Sequence, residues 1–224
     1  MARVFLSGGT GYVGASLVPA LLSRGHTIRA LARSGSVSRL HPACESVVGD
    51  ALDAATFRMA VSPCTTFVHL VGTPHPAPWK GEQFRAVDGR SLFASVDAAL
   101  YAGVAHFVYV SVAHPAPVMR DYIAVRSECE ERLRQSGLNA TILRPWYVLG
   151  PGHRWPYALL PFYRLAEAIP STREGALRLG LVTLAEMVKA LVWAIEHPPQ
   201  GIRTLAVPAI RAVSSAAAEA SAEG

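Results

Sequence analysis

At 224 residues the chain is long enough for one large domain, or one domain with a small appendage. Apolar residues make up 51% and charged residues 17%, which sustains a sizeable core and excludes global disorder. The net charge of +5 comes from basic residues scattered along the chain, nearly all Arg, with only Lys80 and Lys189 as lysines. No basic stripe is interleaved with aromatics, so nucleic acid is not expected as a partner.

No stretch approaches the roughly 20 apolar residues that a membrane span needs. Glycines follow too soon in the opening "MARVFLSGGTG" for a secretory signal, and a cytoplasmic protein is expected. Cys44, Cys64 and Cys129 are odd in number and widely spaced, so they read as small buried hydrophobes of a reducing compartment. The eight His show no ligand spacing, and no metal is expected.

In chain order, "RVFLS" (3–7) predicts a strand and Tyr12 to Arg24 a helix. "TIRALA" (27–32) and "ESVVGD" (45–50) predict strands two and three, with a short helix over 53–60. "TFVHLVG" (66–72) is a fourth strand, followed by a helix from Glu82 to Tyr101, where Phe84, Val87, Leu92, Val96 and Leu100 recur at helical spacing. "HFVYVSV" (106–112) is a fifth strand, Met119 to Gly137 a polar helix, and "ATILRP" (140–145) a sixth strand. From Trp146 to Leu181 periodicity fails, which predicts an irregular cap; a helix over 183–197 and a strand near 202–207 return to the sheet. The low-complexity end, 212–224, reads as a disordered tail, leaving one domain over 1–211. Apolar strands without polar alternation, separated by helices, predict a doubly wound α/β fold: a parallel sheet covered on both faces.

"SGGTGYVG" sets Gly8, Gly11 and Gly14 in a GxxGxxG spacing between the first strand and the first helix. Such glycines permit a tight turn, close approach of backbone to a pyrophosphate, and close packing of helix on strand, while the helix amino end offers free N–H groups to the anion. Dinucleotide binding follows, with Thr10, Tyr12 and Val13 beside the glycines. An NAD site usually carries an acidic residue after the second strand, but no Asp or Glu occurs between Gly25 and Cys44. Arg33 and Ser34 stand there instead, and a guanidinium suits a 2′-phosphate, so NADP is expected, with NAD possible. Arg33 is alternatively an ordinary surface residue. Asp50 and Ala51 are placed to meet the adenine, or Asp50 caps the next helix. Val71, Gly72 and Pro145 close strands four and six, where ligands of parallel sheets bind.

Together the "GGTGYVG" loop, "GD" after the third strand, "HFVYVSV", the Tyr-containing helix and "LNATILRPWYVLGPG" resemble the short-chain dehydrogenase/reductase superfamily, in its atypical or extended branch (NAD-dependent epimerase/dehydratase-like, NmrA-like). The resemblance covers about 3–207, where "LVTLAEMVKAL" also matches. It implies a catalytic set of Ser, Tyr and a Lys four residues after the Tyr. Ser111 matches the Ser, Tyr122 the Tyr, and Glu130 a common Glu after the motif, but the Lys position holds Arg126. Arg supplies a cation and still donates to a ribose hydroxyl, yet its planar fork reaches differently. Two readings stay open: retained chemistry, or a relaxed site.

Loops 72–81, 113–119 and 145–157 bring Trp79, Trp146, Tyr147 and Trp155 toward one opening, framing an apolar substrate or packing the cap. His75 and His114 are substitute acids or surface residues, and Asp88 falls on a polar position of the family with no assigned role. A cap this short favours a small lipophilic carbonyl or quinone over a nucleotide sugar. The expectation is an NADP-dependent oxidoreductase acting on a small-molecule substrate, with a homodimer possible. The alternative is a non-catalytic NADP-binding redox sensor or accessory subunit, resembling that of respiratory complex I.

Overall fold

The computed structural model describes residues 1–151 and 169–222. Seven strands form one sheet in the order β3-β2-β1-β4-β5-β6-β9, every neighbouring pair parallel. They are β1 (Arg3–Ser7), β2 (Thr27–Ala32), β3 (Glu45–Val48), β4 (Thr66–His69), β5 (His106–Val110), β6 (Ala140–Arg144) and β9 (Ile202–Ala206). The chain leaves β1 through helix α1 (Tyr12–Ser23), builds outward to β3, and returns to the other side of β1 at β4. That reversal between β1 and β4 opens a crevice at the carboxyl edge, where ligands of such sheets bind.

Period-two alternation decides what each face of the sheet carries. Phe5, Phe67, Phe107, Tyr109 and Ile142 face helices α4 (Arg90–Ala102) and α5 (Arg120–Gln135), with Phe67 and Phe107 stacked at 5.1 Å. Val4, Leu6, Val68, Val108 and Leu143 face the other way, against α1, α7 (Leu184–Glu196) and α8 (Val207–Ala222). One face is aromatic and the other aliphatic.

Several predicted elements change shape. The helix expected over 53–60 is a tight turn at Ala54–Thr56, capped by Asp53, followed by the short α2 (Arg58–Val61). The helix expected from Glu82 begins as α3 (Gly81–Gln83), widens into a π-helical turn over Phe84–Gly89, and continues as α4. The cap is more regular at its described ends than its broken periodicity implied: β7 (Tyr147–Leu149) pairs in parallel with β8 (Leu181–Thr183), after α6 (Pro170–Arg178). Trp155 and the middle of the cap lie outside the described residues. The end of the chain corrects the expected tail: α8 continues through Ala222. Val207 and Ile210 are fully buried beside Leu191 and Ile195, and this anchored first turn extends into an alanine-rich run of high helix propensity. Among the described residues no helix is long and apolar enough to cross a membrane.

Candidate functional site

The glycine loop is built from backbone alone. Gly8 holds φ +85°, and a Cβ there would stand 2.7 Å from the carbonyl carbon of Leu70, at the end of β4. A Cβ on Gly14 would stand 2.3 Å from the Gly8 carbonyl oxygen. Both glycines are therefore sterically required. Gly11 caps α1 with no side chain, so the amides of the first turn, from Tyr12 and Val13 onward, have neither intrahelical acceptors nor a capping oxygen. A bare cradle of N–H groups at a helix amino end fits a diphosphate. The Tyr12 ring reaches away to the start of the cap, where its hydroxyl crowds Gly150.

Around the loop, Arg33 and Ser34 are exposed at the end of β2 and open a tight helical turn, Ser34–Arg39. Arg39, which sequence reasoning passed over, donates from Nη2 to the Thr10 carbonyl at 3.2 Å and so lies against the glycine loop. The Asp50 carboxylate accepts from the Leu52 amide at 2.9 Å in a local turn, while Asp53 takes the capping role considered for Asp50. Ala51 packs against the aromatic core. Val71 and Gly72 follow β4, and Pro145 follows β6, its carbonyl accepting from Ala113 N at 2.9 Å.

The second part of the site is made of side chains. Arg126 is 6% exposed and donates to Asp88 Oδ1 at 2.5 Å, to the Tyr109 hydroxyl at 3.1 Å and to the Val110 carbonyl at 2.9 Å. Asp88, from the π-helical turn, accepts through Oδ2 from the Thr73 amide at 2.9 Å and the Thr73 hydroxyl at 2.6 Å. This answers what Asp88 does: it clamps Arg126 to the loop after β4. The clamp explains Gly72 as well, because a Cβ there would meet Arg126 Nη2 at 2.6 Å. The guanidinium is thus held under Gly72, with its buried Nε the one nitrogen lacking a protein partner. That remaining donor is compatible with a bound ribose.

Tyr122 lies one turn before Arg126 on α5, its ring 5.0 Å from the guanidinium and 4.8 Å from the Phe84 ring. Burial raises the Tyr122 pKa, and the opposing charge of Arg126 does not reverse the shift. The hydroxyl therefore keeps its proton at neutral pH.

Ser111 makes its hydrogen bond elsewhere on α5. Alternation along β5 puts it on the same face as Phe107 and Tyr109, toward α5. There it donates to Glu130 Oε1 at 2.7 Å and is 4% exposed. Glu130 is fully buried and also accepts from His114, Arg134 and both sides of the Arg144 fork. Burial alone would raise its pKa, but the bonds from His114, Arg144 and Ser111 outweigh that and hold it well below the carboxylate range. His75 is exposed at φ +48°, Trp79 is exposed, and Trp146 meets Tyr147 edge-on at 5.7 Å. Among the described residues no His, Cys, Asp or Glu cluster could hold a metal.

A family model described as NAD(P)H-binding matches residues 8–155. Over 117 residues, half of this chain, the sequence is 35% identical to a 3β-hydroxysteroid dehydrogenase/Δ5→4-isomerase of Mycobacterium tuberculosis, covering 32% of that protein. A ceramide reductase of Caulobacter vibrioides is 26% identical over 204 residues, 89% of this chain and 62% of its own length. The chain thus spans about a third of the first relative and less than two thirds of the second. A Bordetella bronchiseptica enzyme, WbmH, solved in complex with NAD+, shares the fold at a TM-score of 0.69 and 22% identity, over 99% of this chain and 82% of that one.

Proposed function

Since this chain belongs to the NAD(P)H-binding family of the short-chain dehydrogenase/reductase superfamily, we propose that it is an NADP-dependent reductase of small apolar carbonyl compounds or quinones. The observation that carries this reading is Tyr122: a protonated phenol whose ring stands 5.0 Å from a buried guanidinium, on the helix that follows the fifth strand of a dinucleotide-binding fold. A protonated phenol can donate to the oxygen of a carbonyl undergoing reduction. The relative named a ceramide reductase agrees with that direction.

Bound in the crevice, the dinucleotide supplies the hydride that reduces the carbonyl carbon. The chain does the rest. The amides at the start of α1 and the loop from Gly8 to Gly14 hold the diphosphate, braced by Arg39 at the Thr10 carbonyl, and Arg33 and Ser34 supply donors for a 2′-phosphate. Asp50 and Ala51 border the adenine; Val71, Gly72 and Pro145 border the nicotinamide side. Tyr122 gives its proton to the carbonyl oxygen, and the tyrosinate left behind faces the Arg126 charge until water reprotonates it. Arg126 stabilises that anion from a fixed position and offers only Nε to a ribose.

Titration of NADPH and NADH by fluorescence, followed by a screen of ketones, aldehydes and quinones for NADPH oxidation, tests the reading. Tyr122→Phe should lower kcat by roughly 100-fold or more with NADPH affinity retained. Turnover indifferent to that change would overturn the role of Tyr122. A second reading, a non-catalytic NADP-binding sensor or accessory subunit, draws on the Asp88 clamp and on Ser111, whose proton is committed to Glu130. Tight NADPH binding with no turnover on any probe would favour it.

A further inference from the structure

The π-helical turn over Phe84–Gly89 and helix α5 meet through two matched pairs. Phe84 and Asp88 stand four residues apart on the turn, and Tyr122 and Arg126 four apart on the helix. The Phe84 ring lies 4.8 Å from the Tyr122 ring, and Asp88 Oδ1 receives Arg126 Nη2 at 2.5 Å. Phe84 and Asp88 are both buried. One short element thus holds both members of the pair on α5, and π-helical turns recur at functional sites. The carboxylate is itself fixed from the loop after β4, since its Oδ2 accepts from the amide and the hydroxyl of Thr73.

The pairing matters for the phenol because Arg126 acts on it as a charge. The guanidinium carbon stands 5.0 Å from the centre of the Tyr122 ring. A lone buried cation at that distance would favour the tyrosinate strongly. With a carboxylate bonded to it, the cation becomes one end of an ion pair, whose field falls off faster than that of a single charge. The titratable and charged groups that reach Tyr122 are Arg126 and Cys129 on α5, Tyr109 from β5 and Asp88 from the π-helical turn. Burial pushes the Cys129 thiol up to about 11 and the Tyr109 phenol well above its usual range, so both are neutral at neutral pH. Among these groups, Asp88 alone sets a negative charge against Arg126.

We propose that Asp88 is a positioning residue of the reduction: it acts through Arg126, offsetting enough of the guanidinium charge that Tyr122 is held in place without being stripped of its proton. The proposal rests on the reductase reading and deepens it, because it assigns the group that sets the pH above which Tyr122 ceases to donate. Hydride still comes from NADPH and the proton from Tyr122; Asp88 exchanges neither.

Asp88→Asn keeps the size of the side chain and an oxygen for Arg126 while removing the charge. Asp88→Ser, smaller and also neutral, serves where the amide disturbs Thr73. Tyr122 ionisation is read as the tyrosinate absorbance that disappears when Tyr122→Phe is added to each protein, in samples whose circular dichroism stays native over the titration. It should move down by about one pH unit or more in Asp88→Asn. Adding Arg126→Gln should abolish that downward shift, because no uncompensated cation remains. With phenanthrenequinone as the probe, the alkaline fall of kcat for NADPH oxidation should move down with the ionisation, and the position of that fall does not depend on the folded fraction. An ionisation unmoved in the folded neutral variants, or a downward shift that persists after Arg126→Gln is added, would overturn the role of Asp88 while leaving the reductase reading in place. NADPH bound but never oxidised, with the ionisation shifting as expected, counts against the reductase reading instead.

Discussion

The two halves of the site are built from different materials. From Gly8 to Gly14 the berth is backbone: one uninterrupted stretch in which two glycines are forced by contacts of 2.7 and 2.3 Å that no side chain would survive. From Asp88 to Arg144 it is side-chain charge, contributed by the loop after β4, a π-helical turn, β5, α5 and β6. The first half tolerates almost no change of residue type but needs no partner. The second tolerates changes of type only in pairs, because each buried charge depends on a partner that another element brings to it.

The largest effect should come from breaking a pair. Asp88→Ala leaves Arg126 buried at 6% exposure with its carboxylate gone, and removal of one partner of a buried ion pair costs about 3–5 kcal/mol. Arg126→Ala should cost a similar amount by stranding Asp88. If the two act as one unit, Asp88→Ala/Arg126→Ala should cost far less than the sum of the singles, measured by urea unfolding. Additive losses would show that the clamp is two independent contacts.

Where the halves meet, His69 ends β4 with its Nδ1 at 3.0 Å from the hydroxyls of both Ser7 and Ser95. Burial, helped by the Arg126 charge, lowers its pKa from 6.5 to about 3; burial and the Arg203 charge lower that of His106 to about 4. Above pH 6.5 both folded and unfolded chains carry these rings neutral, so neither contributes. As pH falls below 6.5 the unfolded chain takes up protons that the native chain refuses, and stability drops down to about pH 4 for His106 and about pH 3 for His69. By pH 5 the loss should be about 2 kcal/mol for each ring. Urea midpoints at pH 7.5 and pH 5 measure it, and His69→Asn should flatten the dependence. An unchanged slope in that variant would mean that His69 already titrates normally.

Breaking the backbone half should cost less stability but more function. Gly14→Ala puts a methyl against the Gly8 carbonyl, and overpacking of this kind costs about 1–3 kcal/mol. Because the loop must shift to admit it, NADPH affinity should fall out of proportion to the change in midpoint. Full NADPH affinity in Gly14→Ala would show that the diphosphate does not lie on this loop.

These differences explain what was legible. The order and parallel pairing of the strands follow from apolar runs and helical spacing, and the glycine loop from residues adjacent in sequence. The Asp88–Arg126 clamp was not legible, because the partners stand 38 residues apart and the only hint was that Asp88 falls on a polar position of the family. The true partner of Ser111 had a visible signal in β5: counting in twos from Phe107 through Tyr109 puts Ser111 on the helix face, toward Glu130. Matching Ser111 to a family position hid that simpler alternation. Arg39 was missed because its contact with Thr10 depends on how the turn after β2 folds back. The helix at 212–222 was missed because composition was weighed without the buried turn that anchors it.

The smallest effect concerns cofactor choice, where the two materials meet. Arg33 is exposed after β2, so its charge acts through water and its contribution is modest. A charge-assisted bond to a phosphate still exceeds a neutral one, and Arg33→Ala should weaken NADPH about tenfold, or ~1.4 kcal/mol, while changing NADH less than twofold. Arg39 differs in that one of its nitrogens already serves the Thr10 carbonyl. Arg39→Ala should therefore loosen the loop and weaken both nucleotides together, by a factor of about two to three. The pair of variants separates recognition from scaffolding. A selective loss at Arg33 with a shared loss at Arg39 identifies the first as a reader of the 2′-phosphate and the second as a brace for the glycine loop. Equal losses of NADPH and NADH at Arg33 would remove the basis for preferring NADP, since only a group absent from NAD can produce a difference between them.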